Sequence, residues 1–259
     1  MTISPVKVPT WKRILDVAAV LLLLPVILPV VVFIAVFIRV VSKGPILFKQ
    51  ERMGFRGAPF MCLKFRTMIV GADTSNHQSY LSDLMKSNVP MVKMDAKGDS
   101  RIIPFGLLLR SSGLDELPQL INVLRGEMSL VGPRPCLSYE SQKYRPWQRE
   151  RFDTLPGLTG LWQVSGKNKT TFTEMIQMDI DYVRNKTLWW DIIIILKTPL
   201  AIINQILDSS EPKPSQNPSP LATTAAAPAW RPMIQTQTRL TDSSAPNKIF
   251  NGAKTQNQK

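Results

Sequence analysis

The chain has 259 residues and a formal net charge of +13, from 32 lysines and arginines against 19 aspartates and glutamates. This length suits one or two domains with a substantial core, and the cationic excess favours an anionic partner: nucleic acid, an acidic membrane surface or a phosphorylated substrate. The sequence contains no Walker loop and no GxGxxG, which excludes the two common nucleotide-binding loops. Its two cysteines fit neither a metal site nor a disulfide framework, and this indicates a reducing compartment.

The N-terminal part is dominated by an apolar segment. Residues 17–38 carry no charge, which is long enough for a membrane helix and too long for the apolar region of a signal peptide. Pro25 and Pro29 lie near its middle, where each removes a backbone hydrogen bond and favours a kink. Both flanks are basic, with Lys12 and Arg13 before the segment and Arg39, Lys43, Lys49, Arg52 and Arg56 after it. The positive-inside rule places both ends in the cytoplasm, which predicts a kinked re-entrant helix; a single spanning helix is the alternative.

A β-hairpin is predicted after this segment, with strands at about 45–50 and 59–68 and glycines in the link. Alternation along the second strand puts Cys62, Lys64 and Arg66 on one face and apolar residues on the other. Two positive charges on one face suit a phosphorylated ligand. An ordinary half-buried strand with a solvated basic side explains the pattern equally well.

The rest of the chain alternates between helical patterns and loops. Apolar spacing predicts helices at 79–86, 102–125, 172–183 and 188–207, with Gly126 ending the second, and loops at 129–135 and 155–168. The last helix is apolar enough to span a membrane, but Asp191 and Lys197 within it favour an interfacial or core-packed position, and Pro199 interrupts it. From residue 208 onward, Pro, Ser, Thr, Asn, Gln and Ala dominate, which predicts a disordered tail.

Two adjacent carboxylates, Asp115 and Glu116, precede the apolar run LPQLINVL. One interpretation is electrostatic, because acidic residues favour the positive end of a helix, Ser112 supplies a loose capping pattern and Pro118 suits a first turn. The other is catalytic, because an ionised aspartate is a nucleophile that forms aspartyl phosphates, and an adjacent glutamate can help to hold Mg²⁺. The spacing alone leaves both interpretations open.

A longer set of motifs resembles a known family. KRILD at 12–16, the proline-broken apolar segment, GPILFKQERMG at 44–54 and KFRTM at 64–68 occur in that order, followed by LRSSGLDELPQLINVLRGEMSLVGPRP at 109–135 and PGLTGLWQVSGKN at 156–168. Together they resemble the bacterial sugar transferase family of polyprenyl-phosphate hexose-1-phosphate transferases, the monotopic phosphoglycosyl transferases. The resemblance runs from about residue 11 to residue 205 and leaves only the tail uncovered.

The resemblance implies a reaction at the cytoplasmic face of the bacterial inner membrane. Such enzymes transfer a sugar 1-phosphate from a UDP-sugar to undecaprenyl phosphate and release UMP, which begins a surface glycan such as an exopolysaccharide, a capsule or an O-antigen. The aspartate of the family's acidic dyad, here Asp115, attacks the sugar-linked phosphate, and Glu116 and Mg²⁺ assist. The residues implied for binding the substrate and its phosphates are Lys64, Arg66, Arg134, Gln163 and Asp179. The motifs do not separate the residues that recognise the hexose, so glucose, galactose and N-acetylated hexoses are all candidates.

The resemblance also implies the fold class: α+β and mostly helical, with a small sheet, a re-entrant membrane helix and amphipathic interfacial helices around the active site. We therefore expect a basic segment and membrane helix at 1–43, a catalytic domain at 44–207 and the tail at 208–259. The family bends its membrane helix at a Ser-Pro pair, where this chain has Leu28 and Pro29. The implied partners are the UDP-sugar, undecaprenyl phosphate and the inner membrane, and a homo-oligomer is compatible with them.

Two other functions fit parts of the sequence. DID at 179–181 matches the metal-binding DxD of nucleotide-sugar glycosyltransferases, which release UDP, but it lies in a helical pattern instead of a loop after a strand. A membrane-anchored nucleic-acid-binding protein would need an exposed basic surface with aromatic platforms or a recognition helix. The sequence shows neither feature clearly, and we expect no nucleic-acid partner.

Overall fold

A computed structural model of the chain describes residues 8–72, 75–87, 89–91, 99, 101–167 and 170–210. In this part the chain is mostly helical, with two separate two-stranded sheets, which confirms the coarse fold class. The α-helices are α1 Thr10–Val41, α2 Ser75–Lys86, α3 Gly106–Ser112, α4 Gln119–Arg125, α5 Ser138–Gln142, α6 Leu161–Val164, α7 Phe172–Asn185 and α8 Leu188–Ser210. The strands are β1 Leu47–Met53, β2 Pro59–Phe65, β3 Ser129–Val131 and β4 Gly157–Thr159, and 3₁₀ helices lie at Phe55–Gly57, Leu114–Glu116 and Pro146–Phe152. The disordered tail predicted from residue 208 falls outside the described residues, apart from 208–210, which end α8.

Helix α1 is the apolar helix expected near the N-terminus. It is continuous through Pro25 and Pro29, and it is long and apolar enough to cross a membrane. Two parts of it pack against the rest of the chain: Val20 joins a buried cluster with β2 and α4, and Ile34 and Ile38 join a second cluster with β2 and α3. Between these two contacts most side chains are apolar and exposed. The kink and the re-entrant path stay predictions.

A buried ion pair fixes the first turn of α1 to α7 and α8. The Nζ atom of Lys12 donates to Oδ2 of Asp191 at 2.5 Å and to the hydroxyl of Tyr182 at 2.8 Å. The Tyr182 hydroxyl donates in turn to Oδ1 of Asp191 at 2.6 Å. Both charged side chains are fully buried. We call Lys12, Tyr182 and Asp191 the helix anchor.

Two further polar residues in the first turns of α1 hold the neighbouring elements. Oδ1 of Asp16 accepts hydrogen bonds from the Ser129 hydroxyl and from the backbone N–H of Leu130, both at 2.9 Å. Arg13 donates to two backbone carbonyls in the last turn of α4. Lys12 and Arg13, which the sequence analysis used only as a basic flank for the positive-inside rule, are therefore also engaged in contacts within the protein.

The predicted β-hairpin is present, although its strands begin and end a few residues from the predicted limits. β1 and β2 are antiparallel in a register that places Leu47 opposite Phe65. The buried side chain of Asn122 on α4 holds β2 in place. Its Oδ1 accepts from the backbone N–H of Leu63 at 3.0 Å, and its Nδ2 donates to the carbonyl of Met61 at 2.8 Å.

The helical run predicted over 102–125 is divided, and that prediction is wrong in its continuity. Helix α3 ends at Gly113, whose φ of 73° lies in the left-handed region that glycine adopts without strain. The 3₁₀ turn Leu114–Glu116 follows, and α4 begins after Pro118. The apolar periodicity persists across the break because Leu109 and Leu114 both pack on the same buried cluster.

A parallel pair of strands joins two stretches that the sequence assigned to loops. β3 pairs with β4, so that the chain leaves both strands in the same direction. Gly132 and Gly157 permit this approach, because a Cβ on either residue would lie within 2.3 Å of the opposing backbone. Strands of three residues are too short for alternation to reveal them.

Helices α7 and α8 complete the described part of the chain. Thr171 caps α7 by accepting a hydrogen bond from the backbone N–H of Glu174 at 3.2 Å. Helix α8 is not interrupted at Pro199, contrary to the prediction, and it is the second helix that is long and apolar enough to cross a membrane. Ile194 packs in the core, whereas other apolar side chains of α8 are exposed, namely Leu188, Trp189, Leu196, Leu200, Ile203 and Leu207.

Candidate active site

The two adjacent carboxylates lie on the 3₁₀ turn between α3 and α4. The backbone N–H of Glu116 donates to the carbonyl of Gly113 at 3.0 Å, which closes the turn. Asp115 is buried, whereas 20% of the Glu116 side chain is exposed. The pair therefore precedes α4 instead of forming its first turn, and it packs beside strand β2.

Glu116 is held between two cations that come from distant parts of the sequence. Nζ of Lys64, on β2, lies 2.6 Å from Oε1 of Glu116, and Nη1 of Arg134 lies 3.4 Å from the same oxygen. Arg134 belongs to the loop GPRP that follows β3. Three of the motifs singled out in the sequence thus meet at one carboxylate. We call Lys64, Glu116 and Arg134 the acid–base cluster.

The charge state of Glu116 follows from this arrangement. Burial alone would raise the pKa of Glu116, but the positive charges of Lys64 and Arg134 outweigh it and hold that pKa well below its usual value. The hydrogen bond from Lys64 and the charge of Lys167 act in the same direction. The charges of Glu116 and Asp115 in turn raise the pKa of Arg134, against the effect of its burial. Both carboxylates of the dyad are therefore within electrostatic reach of Arg134.

A cleft of about 210 Å³ lies beside this cluster. It is lined by three cationic side chains, one carboxylate and four other residues: Arg52, Lys64, Arg134, Glu116, Cys62, Gln119, Pro135 and Gly157. Because the cations outnumber the carboxylate, the cleft has a net positive charge and favours a polyanion. A second cleft, of about 180 Å³, shares Arg134 and has mostly apolar walls that include Met53, Pro133 and Phe152.

A buried ion pair positions Arg134 from behind. Nη2 of Arg151 donates to the backbone carbonyl of Arg134 at 2.8 Å and to Oδ2 of Asp179 at 2.6 Å. Burial raises the pKa of Asp179 to about 6, although the charge of Arg151 and its hydrogen bond act in the opposite direction. Asp179 thus supports the GPRP loop through Arg151. The DID pattern lies within α7, away from any loop after a strand.

The structure does not bring every predicted site residue into the cluster. The guanidinium of Arg66 turns to the end of α1, where it donates to the carbonyl of Ser42 at 2.9 Å and to the carbonyl of Lys43 at 2.8 Å. Nε2 of Gln163 donates to the carbonyl of Leu158 at 3.4 Å, and Asp179 contacts Arg151. The substrate-binding roles implied for Arg66, Gln163 and Asp179 stay predictions.

Two cations near the carboxylates were not assigned to the site from the sequence. Arg52 lines the cleft, although the sequence analysis counted it only as a flanking charge, and Lys167 acts on Glu116. A signal for Arg52 was present: β1 pairs Gln50 with Cys62, so alternation puts Arg52 on the same face of the hairpin as Cys62 and Lys64. Lys167 had no comparable signal, because the loop that carries it has no regular spacing.

The acidic dyad provides the oxygen ligands that suit a magnesium ion. Within the described residues no group of three or more His, Cys, Asp or Glu side chains surrounds a common point. Mg²⁺ is commonly held by one or two carboxylates together with substrate phosphates, without a cage made wholly of protein groups. Asp115 and Glu116, beside a cationic cleft, fit that donor set.

The chain matches the family model described as bacterial sugar transferase over residues 8–205. The UDP-glucose:undecaprenyl-phosphate glucose-1-phosphate transferase of Caulobacter vibrioides is 41% identical over 201 residues, which cover 74% of this chain and 70% of that protein. The exopolysaccharide production protein ExoY of Sinorhizobium fredii is 36% identical over 191 residues, or 74% of this chain and 84% of that protein. The undecaprenyl-phosphate galactose phosphotransferase of Salmonella typhimurium is 40% identical over 168 residues, which cover 62% of this chain but only 34% of that protein. The aligned region is therefore about a third of some relatives and most of others.

Proposed function

Because this chain belongs to the bacterial sugar transferase family, we propose that it transfers a sugar 1-phosphate from a UDP-sugar to undecaprenyl phosphate. The products are undecaprenyl-diphosphate-sugar and UMP, and the reaction begins the synthesis of an exopolysaccharide, a capsule or an O-antigen. The proposal of undecaprenyl phosphate as acceptor and of sugar-phosphate transfer is supported by the names of the relatives from Caulobacter and Salmonella. The proposed link to exopolysaccharide is supported by the name of ExoY.

One structural observation carries the proposal: an acidic dyad lies beside a cleft in which cations outnumber carboxylates. A diphosphate brings negative charge that Lys64 and Arg134 can neutralise through charge-assisted hydrogen bonds. Asp115 directly precedes Glu116 in the 3₁₀ turn, and its carboxylate is buried beside this cluster. The site therefore combines a receptor for phosphate with a carboxylate nucleophile.

The proposed reaction has two steps. In the first, a carboxylate oxygen of Asp115 attacks the phosphorus of the sugar-linked phosphate, the bond to the UMP oxygen breaks, and a phosphosugar is held covalently on Asp115. In the second, a phosphate oxygen of undecaprenyl phosphate attacks the same phosphorus and the bond to Asp115 breaks. The nucleophiles are already anionic, so neither step requires a general base. Lys64 and Arg134 stabilise the negative charge that develops on the phosphoryl oxygens.

Asp115 and Glu116 are the residues that we propose for Mg²⁺. The ion, when bound, neutralises phosphate charge and polarises the phosphorus–oxygen bonds. Glu116 is suited to this task because Lys64 and Arg134 keep it ionised and hold it in one orientation. The same two contacts restrict Oε1, so the orientation of the glutamate depends on both cations.

We also propose that α1 is re-entrant and that the catalytic part lies on the cytoplasmic face of the inner membrane. The support is that both ends of α1 contact the same part of the chain: Lys12 pairs with Asp191 at one end, and Arg66 binds the carbonyl of Ser42 at the other. A spanning helix would separate its ends by a hydrocarbon layer roughly 30 Å thick, so one domain could not contact both. The exposed apolar side chains of α8 fit a position at the membrane interface.

A panel of UDP-sugars tests the function. The purified full-length chain is incubated with Mg²⁺, undecaprenyl phosphate and each of UDP-glucose, UDP-galactose and UDP-N-acetylhexoses, and the released nucleotide is identified. We expect UMP with at least one donor, and we expect exchange of labelled UMP into that donor when the lipid is omitted. Release of UDP would contradict the transfer of a sugar phosphate, and transfer without exchange would contradict the covalent intermediate.

A further inference from the structure

The cleft contains one cation that the proposed reaction has not used. Arg52 lies on β1 and lines the cleft together with Lys64, Glu116 and Arg134. Its position follows from the hairpin, because β1 and β2 present the same face to the cleft. Arg52 therefore belongs to the surface that a bound diphosphate would contact.

The contacts of Arg52 leave its charge without a counter-ion. Nη1 donates to the carbonyl of Pro135 at 3.0 Å, and Nη2 donates to Oε1 of Gln50 at 2.8 Å; both acceptors are neutral. Among the residues that the structure describes, no carboxylate oxygen lies within the 4.0 Å of an ion pair, and the buried Nε has no hydrogen-bond partner. Lys64 differs, because it is paired with Glu116.

The surroundings make this charge unfavourable in the absence of an anion. Burial lowers the pKa of Arg52, and the nearby positive charge of Arg134 lowers it further, although Glu140 and Glu116 act in the opposite direction. A partly buried cation beside another cation is stabilised when an anion lies between them. Arginine suits that role, because its planar fork binds a phosphoryl group through two hydrogen bonds.

We infer that Arg52 and Arg134 together form a phosphate-binding position in the cleft, in which the guanidinium of Arg52 contacts one phosphoryl group of the donor directly. This inference rests on the proposed function, since the ligand is the diphosphate of the UDP-sugar. It divides the cations of the cleft into two groups. Lys64 and Arg134 serve both Glu116 and the substrate, while Arg52 offers its charge to the substrate alone.

The experiment must distinguish phosphate binding by Arg52 from a purely structural role of the same residue. The hydrogen bond to Pro135 holds the residue that follows Arg134, and a neutral donor could make that bond as well. Arg52→Gln keeps a donor and removes the charge, while Arg52→Lys keeps the charge and removes the fork. Lys49→Ala is the matched control, because Lys49 is an exposed cation on the same strand.

The test uses the full-length chain in detergent with inorganic pyrophosphate as the probe. The dissociation constant is measured from the rise in unfolding temperature, and the KM for the UDP-sugar is measured in parallel. We expect Arg52→Gln to weaken both by about ten- to a hundredfold, and we expect Arg52→Lys to lie between this variant and the unmodified chain. Lys49→Ala should match the unmodified chain.

Two outcomes would overturn the inference. The first is Arg52→Gln with unchanged affinity for pyrophosphate, whether or not the unfolding temperature of the ligand-free variant falls. The second is an equal loss in Lys49→Ala, which would show a general effect of net charge. If the unmodified chain releases no UMP from any donor but pyrophosphate binding depends on Arg52 as expected, the proposed function fails and the anion position stands.

Discussion

The helix anchor and the acid–base cluster place similar groups at similar distances but in different surroundings. Lysine nitrogen and carboxylate oxygen are 2.5 Å apart between Lys12 and Asp191 and 2.6 Å apart between Lys64 and Glu116. In the anchor both side chains have no exposed surface, whereas in the cluster between 15% and 32% of each side chain is exposed. One cation faces one anion in the anchor, while a second cation, Arg134, also faces Glu116 in the cluster.

The difference shows how a buried ion pair can be assigned a role. A fully buried pair with no net charge cannot bind a further ion. It contributes to structure because the native arrangement of the chain has a lower free energy than arrangements that leave either charge unpaired. A partly exposed pair with an additional cation is compatible with a stable fold, and the binding of an anion stabilises it further. Substitutions should therefore separate the two clusters, by stability at the anchor and by activity at the site.

The largest effect is expected at Asp115, the nucleophile that we propose. Asp115→Asn keeps the shape of the side chain but removes the attacking charge, so transfer and UMP exchange should both fall by at least about 10⁴-fold while the unfolding temperature changes little. Glu116→Gln should be severely impaired as well. The measurements are lipid-linked product formation and exchange of labelled UMP, with removal of Mg²⁺ by a chelator as a parallel test.

Asp181→Asn is the matched control for the nucleophile. It removes a carboxylate from the DID pattern on α7, and it should retain activity close to that of the unmodified chain. Loss of activity in Asp181→Asn with retention in Asp115→Asn would instead favour a glycosyltransferase with a DxD metal site, and the two variants together decide between the mechanisms.

At the anchor the expected effect is on stability. Asp191→Asn or Lys12→Met leaves one buried charge without its partner, which should lower the free energy of unfolding by about 3 to 5 kcal/mol. The double variant Lys12→Met/Asp191→Leu removes both charges and should recover most of that loss. Denaturant unfolding in detergent measures both. Single variants that lose less than about 1 kcal/mol would show that the pair behaves like a surface ion pair and that the contrast between the clusters is wrong.

Removal of the cleft cations should affect activity and not folding. Lys64→Ala and Arg134→Ala each remove charged hydrogen bonds to the substrate or to Glu116, so kcat/KM should fall by about ten- to a hundredfold. Arg66→Ala provides a comparison from the same strand, because its guanidinium binds the carbonyls at the end of α1. It should lower stability and leave the KM for the UDP-sugar nearly unchanged. A KM effect in Arg66→Ala as large as that in Lys64→Ala would support the phosphate-binding role that the family resemblance implies for Arg66.

A smaller effect concerns pH. The pKa of Glu116 is lowered in the folded chain. The ion pairs of its carboxylate therefore contribute their full stabilisation at pH values above the usual glutamate pKa, and this stabilisation is lost as the pH falls through the pKa of the folded state. In Lys64→Met one opposing charge is gone and burial has more influence, so the pKa of Glu116 should rise. The acidic limb of the kcat/KM profile should move upward by about one pH unit or more. An unchanged limb would mean that Glu116 is not required in its charged form.

The smallest expected effect concerns the path of α1, where the anchor defines one end. Single cysteines at Ser4→Cys and Lys43→Cys, in a background without the native cysteines, should both resist a membrane-impermeant reagent added outside spheroplasts. Pro29→Ala removes the proline that we propose bends the helix, and it should shift a minority of molecules to a spanning path. Labelling of either introduced cysteine in a chain that keeps Pro29 would contradict the re-entrant proposal.

The sequence was informative where structure depends on local spacing. The hairpin, α7 and the apolar α1 follow from alternation or helical periodicity, and the acidic dyad was recognised from its position in a family motif. The roles of Lys12 and Arg13 were not recognised, because each depends on a partner elsewhere in the chain, and alternation along β1 indicates only the face of the hairpin on which Arg52 lies. Lys12 meets Asp191 across 179 positions, and Arg52 meets the loop after Arg134 across 83. Local patterns contain no information about such pairings.

The hydrogen bonds from Ser129 and Leu130 to Asp16 have a consequence for how the molecule is made. α1 is synthesised before β3 and α8, so its buried polar groups wait for partners that are synthesised later. Pairings this distant in sequence form slowly. Strand β3, which leads to Arg134, is held by Asp16 and is therefore completed only when α1 is in place. A fragment without residues 1–43 would lack the acceptor that orients this strand, so deletion of the helix would leave the loop that carries Arg134 without that support.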